Sequence, residues 1–168
     1  MSSIKRFYSL GFIIGLIALA GGYYVEYVQG VLPCALCLLQ RIVLSILMLL
    51  FFVGWMIQPT SRTKTIFNAL LLILSITGAG LALRQVWLQH HPIMAETSSC
   101  VLGLTYLFKV FPFHTALWTA VKGSQECGKI YGKIFGFSLP LWSLITFLAL
   151  TLLMISFSLR EKVSRSDG

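Results

Sequence analysis

Charge is what this chain has least of. Five Asp and Glu stand against thirteen Lys and Arg in 168 residues, and charged residues together make up only 11%. Ordinary soluble domains carry roughly a quarter charged residues, so a water-soluble globular fold is excluded. The net charge of +8 is no sign of nucleic acid. No basic stripe interleaved with aromatics lies along one face, and nucleic-acid binding is excluded with it. Cysteine is also sparse, with four in the chain. A structural zinc site of four thiolates needs two closely spaced pairs. Only Cys34 and Cys37 are so spaced, and no metal site is expected. Internal repeats and low-complexity stretches are missing, which leaves one domain.

What the chain does have is apolar surface, with 57% hydrophobic residues and a mean hydropathy of +0.86. This is concentrated in four runs, at about residues 7–27, 37–57, 66–88 and 139–159. Each is close to the roughly 20 residues needed to cross a bilayer core as a helix. The expected fold is therefore an all-α membrane protein, a four-helix transmembrane bundle forming a single membrane domain over residues 1–168. Lys5 and Arg6, an apolar stretch and Ala18-Leu19-Ala20 have the outline of a signal peptide. The apolar character continues through Val25, however, and Tyr23, Tyr24 and Tyr27 have the makings of an interfacial belt, so an uncleaved helix is expected. Glu26 to Leu32 reads as a short connection. Gln58-Pro59-Thr60-Ser61 breaks the second run, with Arg62 and Lys64 in the loop that follows. Gly78-Ala79-Gly80 in the third run allows close helix approach. Pro140 falls in the first turn of the fourth helix, where its missing N–H costs nothing.

The segments outside the bilayer are then about 28–36 and 89–138. The longer one holds Cys100 and Cys127. Leu107, Phe108, Phe111, Phe113, Leu117 and Trp118 recur there at near-helical spacing, as in an amphipathic segment lying on the membrane; a small packed loop domain fits the same pattern.

Four spans place both termini on one side, together with the short loop at Arg62 and Lys64. Lys5, Arg6, Arg160, Lys162 and Arg165 add to that side. Lys109, Lys122, Lys129 and Lys133 are scattered through the long loop opposite. Positive charge near helix ends marks the cytoplasmic face. Both termini are expected in the cytoplasm and all four cysteines on the outer side; in a bacterial inner membrane that space is the periplasm, where disulfides persist.

The pattern of greatest chemical interest is Pro33-Cys34-Ala35-Leu36-Cys37-Leu38-Leu39-Gln40-Arg41. Pro33 suits the edge of a helix. A helix starting near Cys34 puts Cys34, Cys37 and Arg41 on one face, at spacings of three and four. A guanidinium one turn from a sulfur favours the thiolate, and an ionisable residue inside an apolar run marks a functional site. A passive bridge across a long loop, as between distant cysteines such as Cys100 and Cys127, stabilises by roughly 3–4 kcal/mol in the chain-entropy model. Two intervening residues close almost nothing, so Cys34 and Cys37 suit redox chemistry instead. A membrane-mouth pair can serve a lipid-soluble electron acceptor, and a loop pair a soluble partner.

Four stretches together resemble the DsbB family, the bacterial disulfide bond formation proteins. They are the Pro33–Arg41 motif, Arg84-Gln85-Val86-Trp87-Leu88-Gln89, Gly123-Ser124-Gln125-Glu126-Cys127 and Phe137-Ser138-Leu139-Pro140-Leu141-Trp142-Ser143-Leu144. They occur in the same order over nearly the whole chain. The resemblance implies a thiol:quinone oxidoreductase that re-oxidises DsbA, a periplasmic thioredoxin-fold protein. It implies two pairs, Cys34–Cys37 re-oxidised by a membrane quinone (ubiquinone or menaquinone) and Cys100–Cys127 taking electrons from the partner. Cys37 would contact the quinone and Arg41 would hold it, with Arg84 and Gln85 as further quinone contacts. Arg84 also suits a snorkelling interfacial charge, and His90 and His91 suit interfacial positions. The other readings are a non-catalytic four-span protein braced by disulfides, and a paralogue serving a dedicated thioredoxin-like partner.

Overall fold

The computed structural model describes residues 3–30, 33–91, 112–122, 133–134 and 137–166. Among them are five helices: α1 (Ser3–Gln29), α2 (Ala35–Ile57), α3 (Ser61–His90), α4 (Phe113–Lys122) and α5 (Leu139–Ser166). Strands β1 (Lys133–Ile134) and β2 (Phe137–Ser138) pair antiparallel, Lys133 opposite Ser138 and Ile134 opposite Phe137. Helices α1, α2, α3 and α5 are each long and apolar enough to cross a membrane. The protein is an all-α, multi-pass membrane protein. Its four long helices close a ring, α1 on α2, α2 on α3, α3 on α5 and α5 back on α1.

The elements stop where local chemistry stops them. Gly30 after α1 takes φ +66°, a left-handed conformation that costs glycine little. After α2, Gln58 is left-handed and its N–H returns to the Gly54 carbonyl at 3.1 Å; Pro59 then supplies no donor to continue the helix. Thr60 is extended and α3 begins at the next residue. The His91 N–H closes α3 on the Trp87 carbonyl at 3.0 Å, ahead of Pro92. Pro140 sits in the first turn of α5.

Helices run past the apolar runs at several ends. Glu26, expected in a connection, lies on α1, and Lys64, expected in a loop, lies on α3. Hydropathy marks only the stretch that tolerates hydrocarbon, whereas the hydrogen-bonded helix continues into the interface. Lys64 is buried, its ammonium 4.9 Å from the centroid of the Phe157 ring, within cation–π range.

Packing relies on glycine where rings cross. A Cβ on Gly11 would lie 2.3 Å from Phe51, one on Gly54 2.5 Å from Tyr8, and one on Gly78 2.2 Å from Phe147. Gly80 has nothing within 4 Å, so the close approach of α3 and α5 belongs to Gly78. One turn away, the Ser75 hydroxyl donates to the Phe147 carbonyl at 3.1 Å and meets Thr151 Oγ1 at 2.7 Å. Phe7 stacks on Phe157 with centroids 4.1 Å apart. The start of α1 and the late turns of α5 therefore meet at one end of the bundle. The start of α2, with Cys34 and Cys37, lies at the other.

Candidate active site

Cys34 caps α2 in an extended conformation, φ −74° and ψ 168°. Its carbonyl accepts the Leu38 N–H at 3.1 Å, which fixes the first turn and brings Cys37 back beneath it. The two sulfurs are 3.2 Å apart, Cys34 in the donor role, and both residues are half-buried.

A third side chain reaches both sulfurs. Gln85 of α3 donates from Nε2 to Cys37 Sγ at 3.0 Å and to Cys34 Sγ at 3.4 Å. Its own oxygen accepts from Gln40 Nε2 at 2.8 Å. Gln40 Oε1 in turn accepts from the Ser143 hydroxyl of α5 at 2.6 Å. Gln40 and Gln85 are buried, at 5% and 3% exposure, so each amide must find partners within the protein. The chain of bonds runs from α5 through α2 to α3 and ends on the sulfur pair. Leu36 and Leu88 are fully buried beside it, with Cys34 and Leu81 packed against them. Helix α4 closes on the same turn of α2 through Ala116 and Ala120, which pack with Leu39.

Arg41 lies one turn beyond Cys37, but its guanidinium turns toward α1. It pairs with the Glu26 carboxylate, donates to the Gly22 carbonyl at 2.8 Å and sits 4.9 Å from the centroid of the Tyr23 ring. The absence of a side chain at Gly22 leaves room for it, since a Cβ there would come within 3.5 Å of Nε. Arg84 points elsewhere, its Nη2 reaching the Lys122 carbonyl at 3.3 Å. This ties α3 to the C-terminus of α4, where carbonyls go unpaired and a cation is favoured. Ser138 donates to Gln89 Oε1 at 3.0 Å and fastens the entry of α5 to α3. His90 Nδ1 lies 2.9 Å from the Val86 carbonyl, and His91 packs on Trp87.

Cys34, Cys37 and Gln85 thus come together, and Arg41 and Arg84 secure neighbouring helices. Cys100 and Cys127 lie outside the described residues. Sequence reasoning passed over Gln40, Ser143 and Glu26. Their signal was polarity within or at the edge of apolar runs, where a polar group that serves no purpose is expensive.

Similarity to known proteins agrees with this geometry. The family model "Disulfide bond formation protein DsbB" matches residues 4–157. The chain belongs to the DsbB family. Among curated DsbB relatives, disulfide bond formation protein B of Methylobacillus flagellatus is 34% identical over 162 residues, covering 94% of this chain and 95% of that one. Disulfide bond formation protein B of Acinetobacter baumannii is 35% identical over 144 residues, 85% and 84% of the two chains. Disulfide bond formation protein B 1 of Pseudomonas aeruginosa is 30% identical over 149 residues, 89% and 91%. As a DsbB family member the chain is a disulfide bond formation protein, and its close sulfur pair suits the oxidoreductase activity that membership suggests.

Proposed function

We propose that this DsbB family protein is a thiol:quinone oxidoreductase of the bacterial inner membrane. It re-oxidises a DsbA-like thioredoxin-fold partner in the periplasm and delivers the electrons to the quinone pool. The observation that carries this reading is the pair of sulfurs 3.2 Å apart at the first turn of a membrane-spanning helix, with a buried amide donating to both. Orientation follows from charge: the end where α1 starts carries Lys5 and Arg6, and cations near helix ends mark the cytoplasmic face. The cysteine end is then periplasmic.

The residues around the pair fit a quinone. A flat apolar ring with polar carbonyls needs apolar walls and a few donors. Leu81 is half-buried beside Cys34, and the fully buried Leu36 and Leu88 back it with apolar surface. Gln85 directs its N–H groups to the two sulfurs, and Arg41, anchored on the α1 side of Cys37, supplies the cation for a quinone carbonyl. A bound quinone supplies a two-electron, two-proton acceptor that returns the Cys34–Cys37 dithiol to the disulfide.

The chain's own sulfurs bring the electrons there by exchange through mixed disulfides. The partner's thiolate attacks Cys100 and expels the Cys127 thiolate. Cys127 attacks the Cys34–Cys37 disulfide, and Cys37 is left as the sulfur that carries charge. A second thiol of the partner then completes its disulfide and expels the Cys100 thiolate, which attacks Cys127, re-forms the Cys100–Cys127 disulfide and releases Cys34. In sum, one partner dithiol becomes a disulfide, and two electrons and two protons reach Cys34–Cys37. Such a donor is already a strong oxidant, about −120 mV, so a further thiol couple has little drive to offer. An acceptor drained by respiration supplies it.

The test is turnover of the purified full chain in lipid with a reduced thioredoxin-fold dithiol and added ubiquinone or menaquinone. One quinone should be consumed for each disulfide formed. Oxidation that ignores quinone would overturn the reading, as would none with any of several donors. Oxidation of one donor alone would identify a dedicated partner.

A further inference from the structure

The two glutamines beside the sulfur pair form a chain with a polar sense, and the sense matters. A carboxamide presents N–H on one side and C=O on the other. Here Ser143 donates into Gln40, Gln40 donates into Gln85, and Gln85 donates onto Cys37 at 3.0 Å and Cys34 at 3.4 Å. If Gln40 were turned over, Gln85 would have to turn as well, presenting its oxygen to the sulfurs. An oxygen there would repel the negative charge that exchange places on Cys37, whereas an N–H stabilises it. Both amides are buried, so neither can turn alone without leaving a polar atom unpaired.

Building on the redox role proposed for Cys34 and Cys37, we propose that Gln85 is a catalytic residue acting on the Cys37 sulfur. Gln40 and Ser143 are positioning residues that hold its N–H groups toward the pair. Gln85 stabilises the reduced pair relative to the disulfide, which makes Cys34–Cys37 a stronger oxidant of the thiols that feed it. A couple whose reduced form is stabilised is the more oxidising one. Gln40 and Ser143 contribute only through Gln85. They touch no sulfur, and their effect vanishes when Gln85 is gone.

The experiment is a double-mutant cycle on the full chain with Cys100 and Cys127 replaced by Ser, read as the equilibrium of Cys34–Cys37 against a dithiothreitol buffer. Neither quinone nor partner enters it, so its outcome is separate from that of the turnover assay. Gln85→Met should shift the equilibrium about tenfold toward the disulfide, the size of one hydrogen bond to a charged group. Gln40→Met and Ser143→Ala should shift it the same way by about threefold, and Ser143→Thr, which keeps the hydroxyl, should restore the parent value. Gln40→Met added to Gln85→Met should bring no further shift, since interacting residues are not additive. A Gln85→Met equilibrium equal to the parent's would overturn the catalytic role. Additive shifts of Gln40→Met and Gln85→Met would overturn the positioning role. Unfolding of one variant leaves the other two arms and the threonine rescue to decide.

Discussion

Arg41 shows how a single residue can hold two assignments at once. The guanidinium lies one turn from Cys37, yet its hydrogen bonds go to Glu26 and Gly22 on α1, with Tyr23 at its face. Its fixed position is thus set by α1, which holds a cation beside the site without spending a donor on sulfur. Arg41→Ala should leave the helices intact and raise the apparent quinone KM about tenfold or more, from loss of a charge-assisted contact. An unchanged KM in steady-state assays would remove Arg41 from the acceptor site. Arg41→Lys should not rescue it, because an ammonium lacks the planar fork that reaches a carboxylate and a carbonyl together. At Cys100 the expectation divides the two halves of the reaction. Cys100→Ala should abolish oxidation of the soluble donor while added quinone still re-oxidises Cys34–Cys37; failure of that re-oxidation, followed by thiol alkylation, would refute the division.

Among the elements, the contact of α3 with α5 is the most exposed to test. Gly78 lies under the Phe147 ring and Ser75 bonds the Phe147 carbonyl. Gly78→Val should force the helices apart and destabilise the protein by about 1–3 kcal/mol, as overpacking does. Gly80→Ala, with open space around it, should be neutral or slightly stabilising because alanine is the better helix former. Thermal unfolding in detergent compares the two, and equal losses would mean that the helix contact is misplaced. The apolar runs made all four long helices legible in the sequence, because hydropathy over some twenty residues is a strong signal. Their polar ends were less so. Glu26 and Lys64 sit on helices because each found a partner on another element, Arg41 and the Phe157 ring, and partners so distant in sequence leave no periodicity to read.

Over the whole molecule, one end is an aromatic lock of Phe7, Tyr8, Phe51 and Phe157, and the other is a polar site. Spacing pointed to Cys34, Cys37 and Arg41, and the family resemblance to Gln85; the fold gathers Cys34, Cys37 and Gln85 at one place and turns Arg41 toward α1. The order of bonding was not legible. Ser143, Gln40 and Gln85 are 103 and 45 residues apart in their two contacts, and only the folded bundle sets them in line. Sidedness belongs to this scale as well. Impermeant thiol reagents applied to intact cells should label the reduced cysteines from outside, and labelling only after the inner membrane is opened would reverse the orientation.

The most direct test is an anaerobic titration of the chain with Cys100 and Cys127 replaced by Ser and Cys34 and Cys37 reduced. A short-chain ubiquinone, whose fully substituted ring resists addition by thiols, serves as the sole oxidant. One quinol and one Cys34–Cys37 disulfide should form per protein, tracked by quinone absorbance and mass. A dithiol that survives excess quinone would contradict the account.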